Sequence, residues 1–277
     1  TRAGRYPEGL EMTATIVIPA RYASTRYPGK PLVELTGATG ETRSLLRRSW
    51  DAALQVPDVA RVVIATDDDR IARHAKGFGA EVVMTPESCR NGTERCAAAL
   101  DTLSPSAAEV IVNLQGDAPL TPPWFVTALI EAMAVSANQV ATPVLRLEPV
   151  ALAGFLDDRA AGIVGGTTAV FDNAGRALYF SKEVIPYTGR RFEKGEETPA
   201  FHHVGVYAYR PEALTAYADW SEGKLEKWEG LEQLRFMENG VPVTCVEVEA
   251  HGRAFWELNN PADVPRIEAI LRDQGLA

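Results

Sequence analysis

The chain has 277 residues, 46% of them apolar and 23% charged, which are the proportions of an ordinary globule able to bury a large core as one domain, or one domain with a lobe. A net charge of −9 argues against nucleic acid or an anionic membrane as the main partner, and makes any cationic loop a local feature suited to a small anionic ligand. Cys89, Cys96 and Cys245 are odd in number and lack CxxC spacing, so neither a disulfide framework nor a zinc site is indicated, and a reducing cytoplasm is the expected location. No apolar run approaches a membrane span, and Thr1 to Met12 lack the apolar stretch of a signal peptide and read as a loose extension.

Ala14 to Ile18 is a short apolar run bounded by Pro19, the pattern of a buried strand. The loop that follows carries Arg21, Arg26 and Lys30, with Ser24, Thr25 and Gly29 between them. Fixed cations, hydroxyls and a glycine suit a triphosphate, giving charge for the oxygens and room for close backbone approach. Neither common phosphate loop is present: Lys30 is followed by Pro31 with no glycine five positions before Gly29, and G-x-G-x-x-G is missing, which also disfavours a dinucleotide oxidoreductase. The alternative is a basic surface loop after an edge strand.

Glu41 to Leu54 then reads as a helix with Leu45, Leu46, Trp50 and Leu54 on one side, and Arg61 to Thr66 as a second buried strand. Asp67, Asp68 and Asp69 follow it, placed to cap a helix over Asp69 to Gly77. Glu81 to Met84 is a third strand, and Asn91-Gly92-Thr93 opens a helix over Glu94 to Leu103 whose free N–H groups could bind an acceptor-rich ligand. Glu109 to Leu114 is a fourth strand, closed by Gln115-Gly116-Asp117-Ala118-Pro119; Pro122 to Val135 is a helix and Gln139 to Leu145 a strand. Strands alternating with helices predict an α/β fold, a mostly parallel Rossmann-like sheet covered on both faces, with ligands beyond the carboxyl ends of the strands. The loops after Ile18, Met84 and Leu114 should therefore converge on one crevice.

From about residue 160 the rhythm changes. Thr168 to Phe171, Ala177 to Phe180 and Val204 to Tyr209 are short strands, the first two joined by the turn signal Asp172-Asn173-Ala174-Gly175. We read about 160–230 as a small antiparallel lobe for substrate or dimerisation within a single domain spanning 1–277, with a polar, mobile loop over Thr188 to Pro199. A helix around Leu231 to Glu238, a strand Val241 to Val248 and a last helix opened by Asn260-Pro261 complete the chain.

Asp117, at the end of a buried strand and facing a phosphate loop, is placed for Mg²⁺, which takes one or two carboxylates plus substrate phosphates; a plain turn-forming Asp is the alternative. His203, Gly205 and Tyr207 would share a strand face. Leu225 to Arg235 passes, as a bare pattern, for an amphipathic helix with solvated charges.

These motifs, in this order over roughly residues 13 to 272, resemble those of the 3-deoxy-manno-octulosonate (Kdo) cytidylyltransferases, or CMP-Kdo synthetases. In that family a P-A-R-Y-A-S-T-R-x-P-G-K-P-L run holds the phosphates of CTP. The resemblance implies CTP contacts from Pro19, Ala20, Arg21, Ser24, Thr25, Arg26 and Lys30. It implies more from Asn91, Gly92, Thr93 and Arg95, which resemble an S-G-T-[DE]-R run beside cytosine and ribose with Asn91 in place of Ser. The family's Q-G-D-E-P is Gln115 to Pro119 here, with Asp117 matching its metal ligand, Gln115 matching a residue that reaches the acid substrate and expected to touch CTP as well, and Ala118 replacing Glu. His203 and Tyr207 match the family's H-x-G-x-Y-x-Y-R residues around the sugar acid, and Glu232 and Gln233 match its substrate hydroxyl contacts. Lys182, expected among the acceptor contacts, stands where the family has Arg, Thr168 where it has Lys, and Asn259 where it has a second metal-binding Asp.

The resemblance thus implies a nucleotidyltransferase fold and a cytoplasmic, homodimeric enzyme. An acidic acceptor would attack the α-phosphate of CTP in line and release pyrophosphate, giving a CMP conjugate. Arg21, Arg26 and Lys30 would hold the triphosphate, with Asp117 and Asn259 at Mg²⁺; a protein base is unnecessary if the metal lowers the pKa of the attacking oxygen. Kdo or an amino-sugar variant is the first acceptor expected. The alternatives are a paralogue that activates another acid, such as phosphonoformate in phosphonate biosynthesis, and a nucleotide-binding regulator without turnover. The neutral Asn259 bears on that choice. At roughly 4 Å and an effective dielectric near 20, one unit charge is worth about 4 kcal/mol, so its loss should favour a more highly charged acid unless Asp263 or water replaces the ligand. Asn259→Asp is accordingly expected to tighten Mg²⁺ binding and to penalise a multiply charged acid relative to Kdo; equal kcat/KM ratios for the two acids in both proteins would contradict this.

Overall fold

The computed structural model describes residues 13–23, 27–105, 109–254, 256–258 and 260–276. In chain order its elements begin with β1 (Ala14–Ala20), a short 3₁₀ turn (Lys30–Leu32), β2 (Glu34–Thr36), β3 (Thr42–Ser44), α1 (Leu45–Ala53), β4 (Val59–Thr66) and α2 (Asp69–Gly77). They continue with β5 (Glu81–Met84), α3 (Gly92–Leu103), β6 (Val110–Leu114), α4 (Pro123–Ala134), β7 (Val140–Arg146), α5 (Pro149–Ala160), β8 (Thr167–Phe171) and β9 (Ala177–Ser181). The last are β10 (Phe201–His203), β11 (Val206–Tyr209), α6 (Pro211–Asp219), α7 (Lys224–Glu229), α8 (Leu234–Glu238), β12 (Val243–Val248) and α9 (Asp263–Asp273).

The described residues form a ten-stranded sheet and a separate β2–β3 hairpin. β5, β4, β1 and β6 run parallel, as the alternation of strands and helices predicts. Side-chain alternation along β1 explains why helices cover both faces: Ile16 and Ile18 bury against Leu46, Ile71, Phe125 and Leu129, while Val17 faces the opposite cluster with Cys96, Ala99, Tyr209 and Leu214. The antiparallel segment is continuous with this sheet. Val144 pairs with both His203 and Glu247, so β7 lies between β12 and the segment 201–209. On the far edge of that segment β6 and β8 follow one another, pairing with β11 and β10 respectively.

Several local expectations need correction. The helix expected from Glu41 begins only at Leu45, because Thr42 to Ser44 pair with β2 and the Ser44 hydroxyl caps the helix by accepting from the Arg47 N–H at 3.2 Å. The strand expected over Val204 to Tyr209 is interrupted at 204–205. The pattern from Leu225 to Arg235 is split between α7 and α8 by Gly230, whose φ of +62° favours glycine. At the last helix Asn260 is no cap; its own N–H donates to the Asp263 carboxylate at 2.7 Å, and α9 starts at Asp263. α5 and α6 fall in stretches where we predicted no helix. Asp68 does cap α2, accepting from the N–H groups of Arg70 and Ile71, and the Asp172–Gly175 turn forms, with the Gly175 N–H donating to the Asp172 carbonyl at 2.9 Å.

One buried cation ties the α7–α8 segment to the sheet-covering helices. Arg235, 1% exposed, holds both oxygens of Glu226 at 2.6 and 2.7 Å, reaches Glu94 on α3 at 3.0 Å, and lies over the Tyr217 ring. Removing one partner of such a cluster leaves uncompensated buried charge, so Arg235→Ala should cost about 3–5 kcal/mol of unfolding free energy in urea titrations. A loss under about 1 kcal/mol would show that Glu226 and Glu94 do not depend on it.

Candidate active site

The loops after β1 and β6 and the start of α3, which follows β5, meet at the carboxyl ends of the parallel strands, around a cleft of about 220 Å³. Pro19, Ala20, Arg21 and Lys30 line one wall, Asn91, Gly92 and Arg95 another, and Gln115, Gly116 and Asp117 the floor. Two glycines make the close fit possible. A Cβ on Gly116 would lie 2.8 Å from the Pro19 carbonyl oxygen, and one on Gly92 would lie 2.9 Å from Asn113 Nδ2 and 3.0 Å from Gln115 Nε2.

Lys30 reaches the cleft because Gly29, at φ +73°, turns the chain and donates its N–H to the Tyr22 carbonyl at 2.9 Å. Its ammonium then sits 2.6 Å from Asp117 Oδ2. The residue expected on phosphate and the residue expected on metal are thus already paired with each other. Arg21 is exposed and donates to the Arg90 carbonyl at 3.3 Å. Arg95 lines the cleft with its guanidinium committed: it is 2% exposed, pairs with Asp67 at 2.8 Å and donates to the Thr85 hydroxyl at 2.6 Å. Ser24, Thr25, Arg26 and Asn259 lie outside the described residues.

The start of α3 is not the open anion site that its sequence suggests. Asn91 Oδ1 accepts from the Glu94 N–H at 2.8 Å, and Glu232 accepts from the Thr93 N–H at 3.2 Å and from that of Gly92. The Thr93 side chain faces inward to the Tyr209 hydroxyl at 2.7 Å, and Asn91 Nδ2 donates to the Tyr217 hydroxyl at 3.0 Å. Burial pushes the Glu232 carboxyl up to about 7, although the two backbone donors pull it the other way.

Glu232 also connects this wall to the residues matched to the acceptor, lying 3.5 Å from Gln115 Nε2. The next residue, Gln233, is buried and accepts from the Tyr207 hydroxyl at 3.0 Å, while its Nε2 has no partner among the described residues. His203 packs between the Phe180 and Tyr207 rings, at 4.9 and 5.5 Å between centroids, with Nε2 2.9 Å from the Thr142 hydroxyl. Burial holds its imidazole down at about 3. The Lys182 N–H donates to Glu229 at 2.9 Å, and its ammonium lies against Gly230. Thr168 lies apart from the cleft, its hydroxyl donating to the Glu183 carbonyl at 2.7 Å.

Sequence reasoning missed Asp67, Thr142, Tyr209, Tyr217 and Asn113. Asp67 was visible as the first of three acids, but which basic residue it meets depends on how α3 packs against β4. Asn113 is fully buried below Gly92 with both side-chain polar atoms unpaired among the described residues, and nothing in the structure explains it. No cluster of three or more His, Cys, Asp or Glu side chains able to hold a metal occurs among the described residues; Asp117 is the acidic side chain among the residues that line the cleft. The cysteines are free, and no described helix is long and apolar enough to cross a membrane.

A cytidylyltransferase family profile matches residues 15–248. The 3-deoxy-manno-octulosonate cytidylyltransferase of Maricaulis maris is 42% identical over 265 residues, covering 95% of this chain and 99% of its own. The mitochondrial protein of the same name from Arabidopsis thaliana is 38% identical, covering 94% of this chain and 84% of its own. Among solved structures, a CMP:2-keto-3-deoxy-manno-octonic acid synthetase complexed with CTP superposes with a TM-score of 0.79 at 32% identity, over 95% of this chain and 99% of that one.

The raised Glu232 carboxyl has a consequence for stability. Unfolded, it would titrate near its ordinary value of 4.5; folded, near 7. Between those values the folded chain holds a proton that the unfolded chain has released, so this group's contribution falls as pH rises through the window. Glu232→Gln should remove that fall. Urea unfolding at about pH 5 and about pH 8 should show wild type losing more stability than the variant, and equal losses would contradict the assignment.

Proposed function

Since the chain belongs to the cytidylyltransferase family, we propose that the acid it activates is Kdo, with CMP transferred from CTP and pyrophosphate released. An oxygen of the acceptor bonds to the α-phosphorus, a hydroxyl proton on it passing to solvent, while the bond from that phosphorus to the oxygen shared with the β-phosphate breaks and its electron pair leaves on pyrophosphate. Such a reaction is chiefly a matter of holding the two reactants in line and offsetting charge. Arg21 and Lys30 on one wall of the cleft supply the fixed positive charge for the triphosphate. The Gln115–Glu232–Gln233 side supplies the acceptor contacts.

The observation that carries the acceptor half is the buried Gln233 amide, whose nitrogen is unpaired among the described residues while its oxygen is taken by Tyr207. A buried donor left unmade is costly, and a hydroxyl-rich sugar acid offers oxygens to accept from it. The relatives described above are named for Kdo, and nothing in them favours phosphonoformate.

Mg²⁺ fits the cleft through Asp117, a hard oxygen donor that already draws a cation to 2.6 Å. When bound it supplies charge neutralisation at the phosphates. Lys30 would then exchange Asp117 for phosphate oxygens, both within reach of the same wall.

With CTP, Mg²⁺ and Kdo the protein should release pyrophosphate. Lys30→Ala and Asp117→Asn should each lower kcat by about 10²–10³, the usual loss on removing one preorganised charge-stabilising group. Turnover of a different acid with none of Kdo, or near-normal rates in both variants, would overturn the reading.

A further inference from the structure

His203 is a ring with two distinct nitrogens, and what it can offer a ligand depends on which one carries the proton. Thr142, fully buried on β7, decides this. Its hydroxyl oxygen lies 2.8 Å from the Val206 carbonyl, 3.2 Å from the Val204 carbonyl and 2.9 Å from His203 Nε2. A threonine hydroxyl has one proton, and a carbonyl oxygen can only accept. Were that proton directed at Nε2, two carbonyl oxygens would face hydroxyl lone pairs at contact distance with no hydrogen between them. With the proton directed at the carbonyls, the hydroxyl accepts from an Nε2–H and every group is satisfied.

We propose that Thr142 is a positioning residue that locks His203 as the Nε2–H tautomer, leaving Nδ1 as a lone-pair acceptor that selects an acid substrate bearing a hydroxyl or amine donor. The ring cannot readily reorient, because Phe180 and Tyr207 flank it. Burial keeps it neutral, so Nδ1 stays unprotonated around pH 7. Gln233, bonded to the Tyr207 hydroxyl, has an amide N–H unpaired among the described residues, and the Tyr207 ring packs on His203. A lone pair beside a donor is the reception a sugar hydroxyl needs, since a hydroxyl both gives and accepts. An anionic oxygen, which only accepts, would meet lone-pair repulsion at Nδ1. The identity of the ligand rests on the proposed function; the tautomer does not.

The test has two readouts. In protein labelled with ¹⁵N at its four histidines, the ring signals lost in His203→Asn identify this residue. At neutral pH they should show a protonated Nε2 and a bare Nδ1 in wild type and in Thr142→Ser. An Nδ1–H tautomer or an imidazolium in wild type would overturn the proposal, whatever acid the enzyme uses. In kinetics, Thr142→Val should raise KM for Kdo roughly tenfold, the scale of one lost neutral hydrogen bond, with KM for CTP unchanged and Thr142→Ser restoring the wild-type value. An unchanged KM for Kdo in a folded Thr142→Val, with turnover retained, would overturn the selectivity claim. Should Thr142→Val fold poorly, the wild-type and Thr142→Ser spectra decide alone. Absence of turnover with Kdo in wild type would refute the proposed function and leave the tautomer to be judged by its spectrum.

Discussion

A carboxylate from residue 232 sits on the first turn of a helix that begins 140 positions earlier, and the architecture of the cleft depends on that contact. Glu232 accepts from the Thr93 N–H, and three residues on Arg235 reaches Glu94 in the same turn. One side chain thus answers the partial positive charge of the helix start, and the other answers the acid that the first turn itself carries. Gly92 and Arg95 line the cleft from this turn, so that wall is braced by the segment around residues 232–235. The cost is a carboxyl held partly out of water, which is why its pKa rises despite two backbone donors.

The same economy governs the cations. In an acidic chain, the arginines near the cleft are divided by partner. Arg95 and Arg235 are buried and matched to Asp67, Glu226 and Glu94, so their charge organises protein rather than ligand. Lys30 is matched to Asp117 within the cleft, and a lysine, a compact point charge on a flexible stem, can exchange partners at little geometric cost. Among the described residues Arg21 meets only a backbone carbonyl and remains exposed, which leaves its fork available to an anion.

What was legible in the chain follows from what is local. The parallel half could be read because its central strands are apolar runs buried on both faces and two of its helices start at their own caps, Asp68 and Asn91. The convergence of three loops then follows from topology alone. The β2–β3 hairpin was hidden because Thr42 to Ser44 lead straight into an apolar helix face, and Ser44, its cap, was the sign passed over. Long-range pairings were not legible at all: nothing near Asn91 announces Tyr217, and nothing near Glu232 announces Gly92. The motifs nevertheless named most of the cleft lining, since those residues sit in a few contiguous loops, whereas their supports come from distant parts of the chain.

The interruption at 204–205 shows how packing and chemistry meet. A continuous strand over 201–209 would pair with one neighbour on its far edge; the observed segment must pair with β8 over its first residues and with β6 over its last. Changing neighbours breaks the ladder, and the freed carbonyls of Val204 and Val206 need donors. Val206 N–H takes the first at 2.7 Å, and the Thr142 hydroxyl, from the opposite strand, reaches both. Having spent its single proton there, that hydroxyl has only a lone pair for the adjacent histidine. The protonation pattern of His203 is therefore a by-product of how one strand serves two edges of a sheet. It places a hydrogen-bond acceptor beside the Tyr207–Gln233 pair without any charged group having to be buried for the purpose.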